Sequence, residues 1–325
     1  MDYGSTNHFE RQKKSRWWSL LFGGAFLASM VLLFFGIYFL MKPSIKLHNK
    51  MRSRQIYYNS DLSKRPRYKQ PADRSRPVAL IISASAVITV LVFSYVRITQ
   101  IKEGGGTYVP SLLKAVPLGD DHIFQSPEGQ RQEKILRNVV GELSVVTGLQ
   151  EPDVYVLANE DYINAMACGL DLDDSSIVLT KGCLKYLDRD ELRALLAHEF
   201  SHLVNSDTRH FTLMAGWLHG LMVLKTMAFR VIVSGKTGFV VFLSLVLVVI
   251  SFLANALGML IQAAFSRSRE RLADSSAAQY TRDPKALASV LKKIGGQSMP
   301  KSYSVLRHPD FRHLYAAETP SLLEK

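Results

Sequence analysis

The sequence predicts a multi-pass α-helical membrane protein carrying an α+β domain, in which one helix supplies the reactive residues and a small sheet lies at its edge. Three observations carry this expectation. Residues 17–41, 77–96 and 238–265 contain no charged side chain, and each run is long enough, at about 1.5 Å per residue, to span a hydrocarbon core of about 30 Å. Residues 97–210 and 266–325 instead carry ordinary charge, with helical spacing alternating with short β-branched runs. One helical stretch also holds His198, Glu199 and His202 within five residues.

The charge of the chain is uneven. The net charge is +12 over 325 residues, but residues 1–76 hold 15 Lys/Arg against 4 Asp/Glu, and the remainder is nearly balanced. A nucleic-acid binder would carry its basic charge on the folded domain. Here the charge flanks apolar runs, which fits anionic lipid headgroups and argues against a nucleic-acid partner. Cys168 and Cys183 do not make a disulfide framework. They fit a reducing compartment, with Cys168 a small buried residue.

Taken in order, residues 1–16 form a basic N-terminal tail. Residues 17–41 form the first span, with Trp17 and Trp18 suited to the interface. The run is too long for a typical signal-peptide core and no Ala-x-Ala site follows it. Residues 42–76, with 11 Lys/Arg and with Pro66 and Pro71, read as a basic loop. With the second span at 77–96, residues 17–96 make a transmembrane hairpin. Gly104, Gly105 and Gly106 read as a flexible linker into the first part of the α+β domain, 97–210.

In that part, Ser126 and Pro127 suit the cap and first position of a helix. Ile135, Val139, Leu143 and Val146 give it an apolar stripe, and Gly148 ends it. Strands are expected at 154–157, 164–169 and 176–180. Asp171, Asp173 and Asp174 lack the ligand set of a calcium loop and read as a solvated turn.

The reactive helix is well marked. Asp188 reads as its N-cap and Glu191 completes a capping box. Leu192, Leu195, Leu196, Phe200, Leu203 and Val204 recur at helical spacing. His198 and His202, four apart, lie one above the other. They suit two imidazole ligands of one zinc ion, with Glu199 beside them as the proton acceptor for a water. Further on, Glu270 and Asp274 share a helix face. Glu270 can complete a His-His-Glu set, leaving a fourth position open, and Asp274 can accept the second N–H of a liganding histidine. Asn205 could bond backbone near the site, and Asp207 could equally cap or end the helix.

Residues 211–265 form a second hairpin. The stretch 211–229 is the weaker span, since it carries His219 and Lys225. His202 and Glu270 must meet at one ion on one side of a membrane, so the chain between them crosses an even number of times. Two spans, at 211–229 and 239–261 with a turn at 234–238, satisfy this. A re-entrant hairpin ranks second, because its turn would leave backbone groups unpaired in hydrocarbon. Residues 266–325 complete the α+β domain, with a short helix at 284–294 ended by Gly295 and Gly296, and a short tail.

Three sets of residues together resemble the HtpX family of integral-membrane zinc metalloproteases, which also includes the CAAX prenyl proteases. They are His198-Glu-Phe-Ser-His-Leu-Val-Asn-Ser-Asp207, Asn164-Ala-Met-Ala-Cys-Gly169 and Ser266-Arg-x-Arg-Glu-x-x-Ala-Asp274. The likeness covers about 130–278. It implies a zincin domain of gluzincin type and one zinc per chain on His198, His202 and Glu270. Glu199 would be the general base, with Asp274 and Asn205 supporting the ligands. It also implies that Asn164, Ala165, Met166 and Ala167 pair with an extended substrate, and that His308 stands where relatives carry a His-Pro, a place from which it could stabilise an oxyanion or equally be a surface-loop histidine. The expected activity is endopeptidase cleavage of membrane-associated or misfolded proteins, in the bacterial cytoplasmic membrane with the site facing the cytoplasm. A literal count of basic residues would put the 42–76 loop on that side instead. Oligomeric partners are not legible.

Two readings from other classes stay beside this one. A catalytically silent scaffold would keep the zinc site, but nothing departs from the motif at Glu199. A di-iron bundle needs a second Glu-x-x-His, and the chain has none.

Overall fold

The structure, a computed structural model, describes residues 8–59, 72–119, 124–234 and 238–297. Nine α-helices and four short strands account for most of them. The chain divides into two compact units. One gathers Arg97–Ala215 with the chain from Ile261 on, and the other Ser19–Val96 with Gly216–Leu260.

The second unit is built from long apolar helices. Helix α1 runs His8–Asn59 and α2 runs Ser75–Gly104. Helix α7 (Asp207–Val233) contributes its later part and α8 (Gly238–Thr281) its beginning. All four are long and apolar enough to cross a membrane. Their outer faces are covered with large apolar side chains, among them Leu32, Phe39, Ile81, Phe252 and Leu260, as suits contact with lipid rather than water. Inside, small residues bring backbones together. A Cβ on Gly220 would lie 2.5 Å from the Val90 carbonyl oxygen and 2.3 Å from Ser94 Oγ. Phe26 meets Trp217 edge to face, 5.4 Å between ring centres.

The segment 42–76 differs from the expected loop. Helix α1 continues through Pro43 to Asn59, because the residues after Pro43 are mostly good helix formers and the proline removes only one backbone donor. Helix α2 starts at Ser75, where Asp73 Oδ1 accepts the Ser75 N–H at 3.1 Å. The turn residues 235–237 lie outside the described residues.

The first unit holds a four-stranded sheet in the order β1-β2-β4-β3: Val116–Pro117, Asp153–Leu157, Ser175–Thr180 and Ala165–Gly169. Strands β2 and β4 run parallel; β1 and β3 are antiparallel to their neighbours. One face carries Val154, Val156, Ala165, Ala167, Ile177 and Leu179. These pack in one apolar core with α4 (Pro127–Thr147), α6 (Arg189–Val204) and α9 (Pro284–Gly295). The other face buries Met166, Cys168 and Val178 against Ile101, Val109 and Leu113. The last two belong to α3 (Tyr108–Leu113). Helix α5 (Lys181–Tyr186) links β4 to α6. Both cysteines are buried and free.

Local signals acted as expected at several ends. Ser126 Oγ accepts the Gly129 N–H at 3.0 Å, Pro127 opens α4, and Gly148 closes it at φ 71°. Asp188 and Glu191 form the capping box of α6. The acidic turn is exposed as expected, but the glycines expected as a flexible linker are held against it. Gly105–Thr107 is a 3-10 turn, and Asp174 Oδ1 accepts the Gly106 N–H at 3.0 Å. Ser176 Oγ donates to the Gly106 carbonyl at 2.6 Å. Gly105 sits at φ 54°, where a Cβ would collide with the Asp174 carboxylate. The glycines serve close approach here, and Asp174 is a pin.

Candidate metal centre

Helix α6 enters the core with Leu192, Leu195, Leu196, Phe200 and Leu203 buried, and this fixes where its other stripe points. That stripe carries His198 and His202, both buried. The two ring Nε2 atoms lie 3.3 Å apart. Glu270, on α8, completes the cluster: Oε2 is 3.2 Å from His198 Nε2, and Oε1 is 4.0 Å from His202 Nε2. The ligand atoms of these three residues all lie within 4.8 Å of one another.

Both rings are held from behind. Asp274 Oδ1 is 3.0 Å from His198 Nδ1. Asp207 Oδ2 is 3.0 Å from His202 Nδ1. A carboxylate at each Nδ1 places the ring proton there and leaves the Nε2 lone pairs free. Two imidazole lone pairs and a carboxylate then face one small space with no hydrogen among them. Such donors repel, and a divalent cation at their centre turns the repulsion into attraction. Bonds of about 2.0–2.2 Å to a tetrahedral zinc separate donors by about 3.4 Å, close to the separations observed. The residues fit a metal ion.

The electrostatics agree. Burial disfavours a charged His198, but Asp274 and Glu270, with Glu199, outweigh it and hold the ring's pKa up at about 10. The surroundings are built to attract positive charge. His202 behaves alike: burial opposes its charging, and Asp207 overcomes that and shifts it upward. Glu199 is fully enclosed. Burial pushes its carboxyl up, while His198, His202 and an N–H from Ala167 pull the other way.

That Ala167 contact ties the reactive helix to β3. In the antiparallel ladder with β4, Asn164 and Met166 turn their peptide groups toward β4, and the Thr180 N–H donates to the Asn164 carbonyl at 3.0 Å. Ala165 and Ala167 turn theirs to the open edge. The Ala165 N–H is met by Asn164 Oδ1 at 2.9 Å, and the Ala167 N–H by Glu199. Of the four residues expected to line a substrate, Ala165 and Ala167 therefore face that edge. Asn164 shapes it, and the Met166 side chain fills the core behind.

Asn205 caps α6, its Nδ2 donating to the Ser201 carbonyl at 2.7 Å and to Ser201 Oγ at 3.1 Å, so its amide serves the end of the helix. Asp207 is the residue that reaches His202. The intervening Ser206 adopts φ 55°, which breaks the helix and folds Asp207 back onto the ring. Residues five apart on an unbroken helix would lie on different faces, so spacing alone hid this contact. Arg269, beside Glu270, was also not singled out. It is buried while Arg267 and Arg271 are exposed. His308 lies outside the described residues.

The family profile described as Peptidase family M48 matches residues 130–321. Among curated proteins, the chain is 38% identical over 168 residues to a Protease HtpX homolog of Tropheryma whipplei (strain Twist), covering 51% of this chain and 57% of that one. It is 35% identical over 175 residues to the Protease HtpX homolog of Caldanaerobacter subterraneus subsp. tengcongensis, covering 51% and 58%. It is 32% identical over 184 residues to that of Listeria monocytogenes serotype 4a, covering 52% and 60%. The chain thus spans somewhat more than half the length of the curated relatives it matches. No solved structure matches. The matched segment contains α6, β3, β4 and the Glu270–Asp274 turn, and on that ground the chain belongs to peptidase family M48.

Proposed function

We propose that this chain is a membrane-embedded, zinc-dependent endopeptidase. The observation that carries the reading is the convergence of His198, His202 and Glu270 on one point, with both Nδ1 atoms backed by aspartates and Glu199 beside them. Zinc held by this set supplies Lewis acidity toward a water and a peptide carbonyl. The chain's own residues do the rest. Glu199 takes a proton from the attacking water. It delivers that proton to the departing amine nitrogen as the C–N bond breaks. Its burial keeps the proton from exchanging with bulk solvent during the step.

Strand β3 ends the sheet and offers the outward carbonyls of Ala165 and Ala167. An extended peptide added there is read by backbone hydrogen bonds rather than by its side chains. Such a site suits unfolded or membrane-associated segments of many sequences, and thus proteolytic quality control. The similar proteins are named proteases, which supports the endopeptidase part of this reading. The four apolar helices support a bilayer partner. We place the site at the cytoplasmic face of a bacterial cytoplasmic membrane, with one zinc per chain.

The test uses the full chain in mild detergent with unfolded casein and a membrane-protein fragment as substrates. Cleavage by the wild type, lost in Glu199→Gln and on adding phenanthroline, is the expected result. Cleavage that survives both changes would overturn the reading.

A further inference from the structure

Asp207 and Arg269 form an ion pair that the metal cluster does not itself require. Asp207 opens α7 and Arg269 stands one residue before Glu270 on α8. Their side chains are 2% and 6% exposed. Arg269 Nε lies 2.5 Å from Asp207 Oδ1, a contact of charge on charge without hydrogen-bond alignment. The other oxygen, Oδ2, faces His202 Nδ1 at 3.0 Å. One carboxylate therefore bridges an arginine on α8 and a histidine on α6.

The arginine is itself held. Its guanidinium lies 5.8 Å from the centre of the Phe265 ring, one turn back on α8. Phe265 packs edge to face on Phe211 of α7, 5.6 Å between centres, and both rings are buried. Arg269, Asp207, Phe211 and Phe265 thus form a clamp between the first turns of α7 and the stretch of α8 that carries Glu270.

The two histidines are supported unequally. His198 is backed by Asp274, whose side chain is 43% exposed. Water can replace that carboxylate as the acceptor of the Nδ1–H. His202 is backed by Asp207 in a place that water does not reach. Among the described residues, Asp207 is the group that meets His202 Nδ1, and through it the clamp bears on the rotation of the ring and on the place of its proton.

We propose that Arg269, acting through Asp207, is a positioning residue for the metal centre. It orients His202 Nε2 toward the ion and, through α8, sets Glu270 opposite it. The proposal rests on the metalloprotease reading above and deepens it. A fully buried ion pair serving stability alone would leave ion affinity unchanged once the protein is folded.

The experiment measures Zn²⁺ affinity of the purified full chain in detergent, by competition with a chromogenic chelator. It compares wild type, Arg269→Lys, Arg269→Gln, Asp207→Asn and the double variant Arg269→Gln/Asp207→Asn, and far-ultraviolet circular dichroism verifies folding of each. The expected result is a loss of about 10–100-fold for Arg269→Gln and for Asp207→Asn. The double variant should be no weaker than either single one, and Arg269→Lys, which keeps the charge, should restore most of the affinity. If Arg269→Gln and Asp207→Asn fail to fold, Arg269→Lys and Phe265→Leu serve in their place. In those variants the expected result is a weakening of a few-fold with the circular dichroism unchanged. Affinities equal to wild type in folded Arg269→Gln and Asp207→Asn, or in folded Phe265→Leu where those two do not fold, would overturn the proposal and leave the metalloprotease reading standing. A wild type that binds no Zn²⁺ would overturn both.

Discussion

The Asp274 carboxylate lies 3.0 Å from His198 Nδ1 and one helical turn beyond Glu270, whose own carboxylate lies 3.2 Å from His198 Nε2. A single turn of α8 therefore grips both nitrogens of one imidazole, one through a would-be metal ligand and one through an orienting acceptor. Replacing Asp274 by Ala should weaken Zn²⁺ binding by about tenfold, the low end for the loss of an orienting carboxylate, because water can enter at its exposed side. The thermal midpoint without metal should hardly move. Chelator competition and a melt in EDTA check the two halves.

Glu199 is enclosed and receives the Ala167 N–H. Glu199→Gln keeps the shape and the acceptor oxygen for that N–H but removes the proton acceptor. Turnover of an unfolded substrate should fall by about 10²–10⁴-fold, with the bound zinc retained. Parallel measurement of rate and metal content distinguishes this from loss of the site.

The capping box of α6 is tied to α9. Glu191 accepts hydrogen bonds from Lys293 Nζ at 2.5 Å, from Ser289 Oγ at 2.7 Å and from the Asp188 N–H at 3.0 Å. Burial alone would push the Glu191 carboxyl up, but these donors outweigh it and hold it below the usual carboxylate range. A depressed carboxyl stabilises the fold fully above its unfolded pKa, about 4.3, and loses that contribution as pH falls through the folded value. Glu191→Gln should therefore destabilise the fold by about 2 kcal/mol near pH 7. The gap to wild type should narrow below about pH 4. Denaturant midpoints at both pH values check this, and a gap independent of pH would contradict it.

Gly169 closes β3 at φ 116°, and a Cβ there would sit 2.4 Å from the Asp174 carbonyl oxygen. Gly169→Ala should destabilise by about 2 kcal/mol or more, and should weaken cleavage further because the strand edge shifts with it. Gly141, inside α4 with nothing within 4 Å of its Cβ position, gives the opposite sign. Gly141→Ala should stabilise by about 0.5–1 kcal/mol. Thermal melts of the pair compare strain with helix propensity in one protein.

Much of this site was legible because its signals are local. The capping box at Asp188 and Glu191, the four-residue spacing of His198 and His202, and that of Glu270 and Asp274 each lie within about one helical turn. Ser126, Pro127 and Gly148 marked α4 in the same way. What escaped notice depends on contacts distant in sequence. Asp207 needed the left-handed Ser206 to reach His202. Arg269 resembled its neighbours Arg267 and Arg271 until burial separated them. The glycines at 104–106 resembled a linker because their partner, Asp174, lies far along the chain. The charge that begins at Lys42 suggested a loop, yet α1 runs on through Pro43 to Asn59, since one lost backbone donor does not end a helix of good formers. Strand β1, two residues long, has no period to detect.

The most direct test is the zinc content of the full chain, purified in mild detergent from zinc-supplied cells and compared with His202→Ala and Glu270→Ala. The account predicts about one zinc per wild-type chain, and far less than one in each variant after dialysis against a weak chelator. A wild type without zinc, or variants that keep a full equivalent, would contradict the assignment of His198, His202 and Glu270 as one metal centre.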